Sequence, residues 1–373
     1  MQKKVIAIAV AGALAAPAVA MAASTSTVQI YGNLYTEYSF INQGRSTAGV
    51  DLANVDYLQT PGSAIGFKGE EKLGGSLSAW FQCESTADIR GVSSNGFCTR
   101  NSAVGLKSGF GNLFVGNWDA PFKRARVGNV GGRDTGVFGT AFLMYGSSTT
   151  VTDGGSQGVF SRRQRNSINY DSPKFGGFQL MGQVSSTNNS TNRLATAANA
   201  KARNWSVAGV YSAGPLALGA GYQKNEKAFA AGTDEDGYHL SASYKIGPVK
   251  LGGAYTRQEW DDTLTTTGKV SAYHLGAEWA IAGPHVLHFG YTQAGDIKGN
   301  AGATGTRSAS GANTGAKLWQ IRYQHNLSKR TYAGVGYVHL RNETAGSYTL
   351  GGFGATGAGA QMKGVAFNLG HRF

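Results

Sequence analysis

The chain has 373 residues, with 34 Lys and Arg against 21 Asp and Glu, and a formal net charge of +13. Its 56 glycines, 7 prolines, 17 tyrosines and 17 phenylalanines are typical of many strands joined by tight turns. Beyond the N-terminus no stretch approaches the roughly 18 consecutive apolar residues of a transmembrane helix, which excludes a helical membrane protein. The sequence contains no compact basic module, so nucleic acid is not an expected partner.

The first predicted element is an export signal at residues 1–22. Two N-terminal lysines precede an uncharged stretch over residues 5–20, and small residues occupy the positions that a signal peptidase inspects before Ala22. A membrane anchor is the alternative, but the apolar run is short and serines and threonines follow it. We expect cleavage after Ala22, which leaves residues 23–373 as a single exported domain.

Alternation of apolar and polar side chains recurs along almost all of residues 23–373. In one clear segment, one face carries Tyr238, Leu240, Ala242 and Tyr244, and the other carries His239, Ser241, Ser243 and Lys245. Side chains alternate faces in a strand, so a barrel strand in lipid needs this pattern. The apolar faces begin or end in aromatic residues, as at the two membrane interfaces of outer-membrane barrels. A soluble β-sandwich would explain the alternation but not the aromatic residues.

The alternating segments predict an all-β fold, a transmembrane antiparallel up-and-down β-barrel of 16 strands, with 18 strands as the alternative. The predicted strands are 27–40, 61–70, 75–85, 98–108, 111–118, 163–171, 176–187, 203–213, 215–225, 236–246, 248–259, 269–281, 284–294, 317–326, 330–340 and 363–373. Short turns alternate with long polar connections, as periplasmic turns and external loops do in such barrels. At this strand number the interior is too wide for side chains to fill, and an aqueous channel remains.

Several local sequences resemble the general diffusion porins of β-proteobacteria, the neisserial type. The motifs are residues 28–32 (VQIYG), 65–75 (IGFKGEEKLGG), 103–106 (AVGL) with 110–111 (FG), 165–173 (RNSINYDSP), 327–331 (LSKRT) and 370–373 (GHRF). Each motif is weak alone, but their order and spacing are specific. One departure is Gly116-Asn117-Trp118, where this family commonly has Gly-Arg-Gln, so a basic residue usual near the constriction is missing.

The resemblance implies a homotrimer of sixteen-stranded barrels in the outer membrane, each passing small hydrophilic solutes. It implies that the third external loop folds into the lumen and that the terminal Phe373 is read by the barrel-assembly machinery. Outer-membrane lipid and lipopolysaccharide are the expected surroundings. The expected function is passive diffusion of small solutes and ions, and the alternatives are a substrate-specific channel or a plugged barrel that acts as an adhesin or receptor.

The longest connection, Asp119 to Arg162, is the predicted constriction loop, because loops of this length are uncommon without a function. Its charged residues include Lys123, Arg124, Arg126, Arg133, Asp119 and Asp134, so basic groups exceed acidic ones. A solvated external loop is the alternative.

Two arginines directly after the constriction loop, Arg163 and Arg165, have the parity opposite to lipid-facing Ile168, and we expect both to point into the lumen. Glu37 and Glu84 have lumenal parity on the first and third strands and are expected on the opposing wall. Basic side chains in a narrow pore favour anions. We therefore expect a weak anion preference.

Cys83 and Cys98 lie at the end of the third predicted strand and the start of the fourth, facing each other across a hairpin. In an exported protein such a pair predicts a disulfide that pins the second external loop, with two free thiols as the alternative. A pair without nearby histidines makes a poor zinc site. The seven histidines are scattered, so neither an enzyme, a metal centre nor a cofactor is expected.

Overall fold

The computed structural model describes residues 28–91, 96–146, 160–186, 203–226, 233–261, 263–303, 308–351, 353 and 357–373. The predicted signal segment at 1–22 lies outside the described residues. The strands are β1 Gln29–Asn42, β2 Asn54–Gln59, β3 Ala64–Gly74, β4 Leu77–Thr86, β5 Ser102–Ser108, β6 Gly111–Asp119, β7 Arg163–Asp171, β8 Phe178–Ser186, β9 Arg203–Ala213, β10 Leu216–Glu226, β11 Glu235–Ile246, β12 Val249–Asp261, β13 Thr267–Ala282, β14 His285–Ala294, β15 Lys298–Gly299, β16 Ala316–Asn326, β17 Thr331–Asn342 and β18 Gln361–Arg372. Two short helices are described, α1 Pro121–Arg124 and α2 Ala141–Tyr145.

The described strands form a closed antiparallel barrel. Each barrel strand pairs with its neighbours in the chain, and β1 closes the cylinder by pairing with β18 from Asn33↔Arg372 to Asn42↔Lys363. The prediction of sixteen barrel strands is confirmed, since each predicted segment overlaps one of β1, β3 to β14 and β16 to β18. The two remaining strands, β2 and β15, are short additions outside this count.

The extra strand β2 exists because the chain is interrupted just before β3. Residues 54–59 pair with the end of β1, and residues 64–68 pair with its beginning, so β2 and β3 follow one line along the same edge. Between them, the Ser63 hydroxyl accepts a hydrogen bond from the Tyr35 backbone N–H at 2.9 Å. This side-chain bond satisfies a donor that the sheet ladder leaves without a partner.

Short and long connections alternate around the barrel, and they define a short-turn end and a long-loop end. At the short-turn end Gly214, Gly247 and Gly283 have φ of 52°, 55° and 52° and each precedes a proline. A two-residue type II′ turn needs a positive φ at its first central position, which glycine adopts without strain. The start of β1 and the end of β18, which meet at the barrel seam, also lie at the short-turn end.

The outer face of the barrel is apolar and uncovered. Leu240, Leu275 and Phe367 are 58%, 59% and 53% exposed, although each lies inside a long strand. Such a continuous exposed apolar surface is what a hydrocarbon environment requires. None of the described helices has the length and the apolar composition that are needed to span a membrane.

The main buried cluster lies inside the barrel, between the wall and the connection from β6 to β7. We call that connection, residues 120–162, the constriction loop; its described parts are 120–146 and 160–162. The cluster joins the loop side chains Phe122, Val137, Phe138, Ala141, Leu143, Met144, Tyr145 and Phe160 to wall side chains that include Ile41, Ala254, Ala272, Leu318, Val338 and Leu340. The loop is therefore packed into the lumen as a part of the core.

Candidate pore constriction

The constriction loop is fastened to the barrel wall by its own backbone atoms. The Phe122 N–H donates to the Ser206 hydroxyl at 2.9 Å, and the Ser241 hydroxyl donates to the Ala125 carbonyl at 2.8 Å. Further along, the carbonyl of Val130 lies 2.8 Å from His274 Nε2. Because polar wall residues are placed at period two along each strand, they reach the loop backbone at regular intervals.

The later part of the loop is held in the same way. The Met144 carbonyl accepts hydrogen bonds from the Thr256 hydroxyl at 2.5 Å and from Gln258 Nε2 at 3.0 Å. The Val137 N–H donates to Glu37 Oε1 at 2.7 Å. The described loop segments thus follow the inner wall from β9 to β1.

Glycines on the wall and on the loop allow this close approach. A Cβ atom built on Gly276 would lie 1.7 Å from the Val130 carbonyl oxygen, and one on Gly131 would lie 1.8 Å from the Phe289 carbonyl oxygen. Both distances are far inside van der Waals contact, so any side chain at these positions would push the loop off the wall. Sequence reasoning missed these glycines because a glycine in the sequence does not show which backbone lies against it.

Inside the barrel the loop borders a cavity of about 640 Å³. Its lining residues are Gly62, Arg100, Lys123, Arg126, Val127, Asn129, Val130, Gly131, Gly132, Arg133, Asp134, Thr135, Arg163, Lys250, Glu278, His288 and Arg322. Seven of these side chains are Lys or Arg, and two are Asp or Glu. The cavity beside the loop therefore lies in basic surroundings.

One side of the cavity is a network between the loop and the neighbouring strands. Lys123 Nζ donates to Asp119 Oδ1 at 2.7 Å, and the Arg163 guanidinium lies 3.8 Å from the same oxygen. Burial lowers the pKa of the Lys123 ammonium below its ordinary value; Arg163 and Arg126 act in the same direction, and Asp119 opposes them. Lys123, Arg163 and Arg126 thus have two carboxylates beside them, Asp119 and Asp134.

Two arginines of the constriction loop, Arg126 and Arg133, are oriented by different contacts. Arg126 donates to Asp134 Oδ2 at 2.9 Å and to the Ser161 hydroxyl at 2.9 Å. The guanidinium of Arg133 lies 3.6 Å from the centre of the Tyr35 ring, a cation–π contact. Burial by itself would raise the pKa of Asp134, but Arg126 and Lys123 outweigh it and hold the pKa below its ordinary value.

The wall of strands β12, β13, β14 and β16 carries a row of ionisable side chains that the predicted site omitted. Lys250 is paired with Glu278, Glu278 with His288, and His288 with Arg322 on successive strands, so all four lie at one level. His288 Nδ1 lies 3.5 Å from Glu278 Oε2. The strand alternation already placed Lys250 and Glu278 on a polar face, and it was the signal from which the row could have been found.

Arg124 binds the wall without lining the cavity. Its guanidinium donates two hydrogen bonds to Asp171, at 2.7 and 2.6 Å, in the bidentate geometry that suits Arg and a carboxylate. Arg124 therefore anchors the loop to β7.

Arg165 lies at a bulge in β7, where the parity argument does not apply. Asn166 has φ of 52°, and the pairing shifts from Gly116↔Ser167 to Trp118↔Gln164. An extra residue disturbs the alternation locally, so parity counted from Ile168 does not by itself place Arg165. Arg163 lines the cavity, and Arg165 is not among its lining residues.

The two predicted acidic residues of the opposing wall have other roles. Glu37 is fully buried under the loop and accepts hydrogen bonds from Val137 N–H, the Tyr35 hydroxyl and Gln59 Nε2. Glu84 accepts from Arg100 Nε at 2.7 Å and from the Tyr31 hydroxyl at 3.1 Å. Neither carboxylate stands as an isolated negative charge opposite the arginines.

Cys83 and Cys98 are joined by a disulfide, with their Cα atoms 4.7 Å apart. Cys83 lies in β4, and Cys98 follows the connection that begins at residue 87. The Cys98 N–H also donates to the Ser85 hydroxyl at 2.9 Å. The bond closes this connection at its base, at the long-loop end.

Phe373 lies at the barrel seam. Its N–H donates to the Gly32 carbonyl at 3.1 Å, and its carbonyl accepts from the Gly32 N–H at 3.0 Å. A Cβ atom on Gly32 would lie 2.4 Å from the Phe373 ring. The terminal residue thus completes the pairing of β18 with β1.

Comparison with known proteins gives the family. The model of the family described as Gram-negative porin matches residues 7–345. The major outer membrane protein P.IB of Neisseria gonorrhoeae is 33% identical over 191 residues, which are 51% of this chain and 50% of that protein. The aligned part of the chain spans about half the length of the curated relatives that it matches.

Solved structures agree over almost the whole chain. An anion-selective porin from Comamonas acidovorans has a TM-score of 0.74 and 26% identity, covering 93% of this chain and 100% of that chain. The trimer form of OmpT from Vibrio cholerae has the same fold, with a TM-score of 0.64 and 15% identity over 94% of this chain and 100% of that chain. In such barrels the short turns are periplasmic, which places the start of β1 and the end of β18 on the periplasmic side. With the family model, the closed barrel and the inserted loop in agreement, this chain belongs to the Gram-negative porin family of the outer membrane.

Proposed function

We propose that the chain forms a water-filled channel for the passive diffusion of small hydrophilic solutes and ions, with a weak preference for anions. The observation that carries this proposal is the charge around the cavity: seven Lys or Arg side chains against two acidic ones. Basic groups in a narrow, partly dehydrated passage lower the barrier for anions and raise it for cations. The family and the fold are those of channels, and we infer that transport takes the place of catalysis here.

The test is the reversal potential of the purified protein in planar bilayers under a salt gradient. The wild type should show an anion-selective sign, and R322Q and R163Q should each move the potential toward zero. The conservative variant R322K should retain most of it. Arg45→Gln is the matched control: it removes the same charge from the external side, where Arg45 is 65% exposed beside Asp51. A cation-selective wild type would reject the proposal.

The same proposal includes a homotrimer, supported by the resemblance to the neisserial porins. Channel insertion or closure should then occur in groups of three equal conductance steps.

A substrate-specific channel is the second candidate function. Liposome swelling with sugars of graded size separates it from a general channel, because a general channel ranks solutes by size. A plugged barrel would admit none of them. Recognition of Phe373 by the assembly machinery and contact with lipopolysaccharide belong to the proposal as well.

A further inference from the structure

Two histidines face each other on the outer wall at the short-turn end. His285 is the first residue of β14, and it lies directly opposite His325 of β16. Both alternate with lumenal residues such as His288 and Arg322, so their side chains point away from the channel. Their ring centres are 5.0 Å apart.

The ring nitrogens of this pair converge with a phenol on one point. His285 Nδ1 and His325 Nδ1 are 3.4 Å apart, and the Tyr323 hydroxyl lies 2.6 Å from the first and 3.4 Å from the second. The short contact between Tyr323 and His285 Nδ1 is a hydrogen bond, which a metal ion on that nitrogen would replace. The contact between the two nitrogens is longer than good hydrogen bonds are, so hydrogen bonding does not account for their approach.

A metal ion does account for the spacing. Zinc–imidazole bonds are about 2.0–2.1 Å long, and two of them at a tetrahedral angle hold their nitrogens about 3.3–3.4 Å apart. The measured separation of 3.4 Å matches that value without any movement of the strands. Half-buried side chains at a periplasmic rim leave room for water to complete the coordination shell.

We propose that His285 and His325, assisted by Tyr323, bind a borderline divalent transition metal such as Zn²⁺ or Cu²⁺. Imidazole ligands suit these metals better than they suit Mg²⁺ or Ca²⁺. Among the described residues no group of three or more His, Cys, Asp or Glu is placed to hold a metal, so the site depends on two imidazoles and a phenol. The bound ion would add a side-chain link between β14 and β16, which already pair through their backbones from His285↔His325 to Ala294↔Ala316.

The test uses untagged protein in detergent, titrated with Zn²⁺ by calorimetry at mildly alkaline pH. The wild type should bind one ion per protomer, and H285Q or H325Q should each weaken binding about tenfold or more through loss of one of two nitrogen ligands. His371→Gln is the matched control. His371 is an exposed histidine at the same end of the barrel, bonded to Thr331, with no second imidazole beside it among the described residues.

Copper provides an independent readout of the ligands. Electron paramagnetic resonance of the Cu²⁺ complex should show coupling to two imidazole nitrogens in the wild type and in H371Q, and to one in H325Q. Y323F should keep both. Unchanged bilayer conductance would show that each variant is folded, because the pair lies outside the channel. Wild-type protein that binds no Zn²⁺, or variants that bind it as tightly as the wild type, would overturn the proposal.

Discussion

Glu37 shows how one buried carboxylate can determine the position of a loop. It lies on the first strand, yet its partners include the backbone of Val137, 100 residues further along the chain. A buried carboxylate needs several hydrogen-bond donors to offset the loss of water, and Val137, Tyr35 and Gln59 supply them. The group therefore acts on permeation through the position of the loop and not through its own charge.

Replacing Glu37 with Gln should loosen the far end of the constriction loop. The amide cannot accept from Val137 and Gln59 with the same strength, and hydrogen bonds to a charged group contribute about 1.5–3 kcal/mol. Hydrogen exchange of residues 133–140 should accelerate, and single-channel current should become noisier. Glu84→Gln is the control, since Glu84 bonds Arg100 and Tyr31 and does not touch the loop. Equal protection of the loop in both variants would contradict this role.

At the scale of elements, the constriction loop and the wall are built for contact between backbones. The Val130 carbonyl packs against Gly276 of β13, where there is no side chain in its way. His274, two residues earlier on the same strand, is hydrogen-bonded to that carbonyl. The wall thus offers an open surface and a hydrogen-bond partner at the same level. Neither feature is visible in the period-two pattern, which reports the face of a residue but not its contacts.

Gly276→Ala should displace the loop near Val130. An added methyl group would meet the carbonyl oxygen, and overpacking of this kind costs about 1–3 kcal/mol. We expect a changed single-channel conductance while the barrel still folds. Gly182→Ala is the control, because a Cβ atom at Gly182 meets nothing within 4 Å. Indistinguishable conductance of G276A and the wild type would show that the loop is not held there.

The disulfide acts on a second element, the connection between β4 and β5. Cys83 and Cys98 are 15 residues apart, and closing a loop of that size contributes about 3 kcal/mol through loop entropy. The double variant C83S/C98S should be cut faster by proteases within this connection. Its reversal potential should stay unchanged, because neither cysteine lines the cavity. Altered ion selectivity would instead indicate that this loop shapes the passage.

At the scale of the whole molecule, closure depends on the seam between β1 and β18. Deletion of Phe373 removes two backbone hydrogen bonds with Gly32, about 1–3 kcal/mol together. Protein refolded in detergent without any assembly machinery should then unfold at a lower temperature, as followed by heat-dependent migration in gels. Phe373→Ala keeps both backbone bonds and should lie between the deletion and the wild type. Equal unfolding temperatures would restrict Phe373 to a recognition role.

The barrel was predictable because lipid on one side and water on the other impose a strict alternation on every strand. The sixteen predicted strands are confirmed for that reason. The site was less predictable for two reasons. The alternation of faces breaks down wherever the backbone is irregular, as at Asn166. It also cannot distinguish a lumenal residue that contacts water from one that is covered by a loop. Arg165 lies at such an irregularity, and Glu37 keeps its predicted lumenal parity but is covered by the constriction loop. Arg322 and His288 carried the correct parity and were simply not singled out.

The attachment of the constriction loop by its main chain has a practical consequence. Phe122, Ala125, Val130 and Met144 are fastened through N–H and carbonyl groups, which every amino acid except proline possesses. These hydrogen bonds do not depend on side-chain identity, although the Phe122 and Met144 side chains also pack in the core. Cavity-lining positions outside these hydrogen bonds, such as Thr135, can therefore be exchanged to retune the passage while its frame stays in place. The same tolerance makes the molecule a suitable starting point for an engineered nanopore sensor.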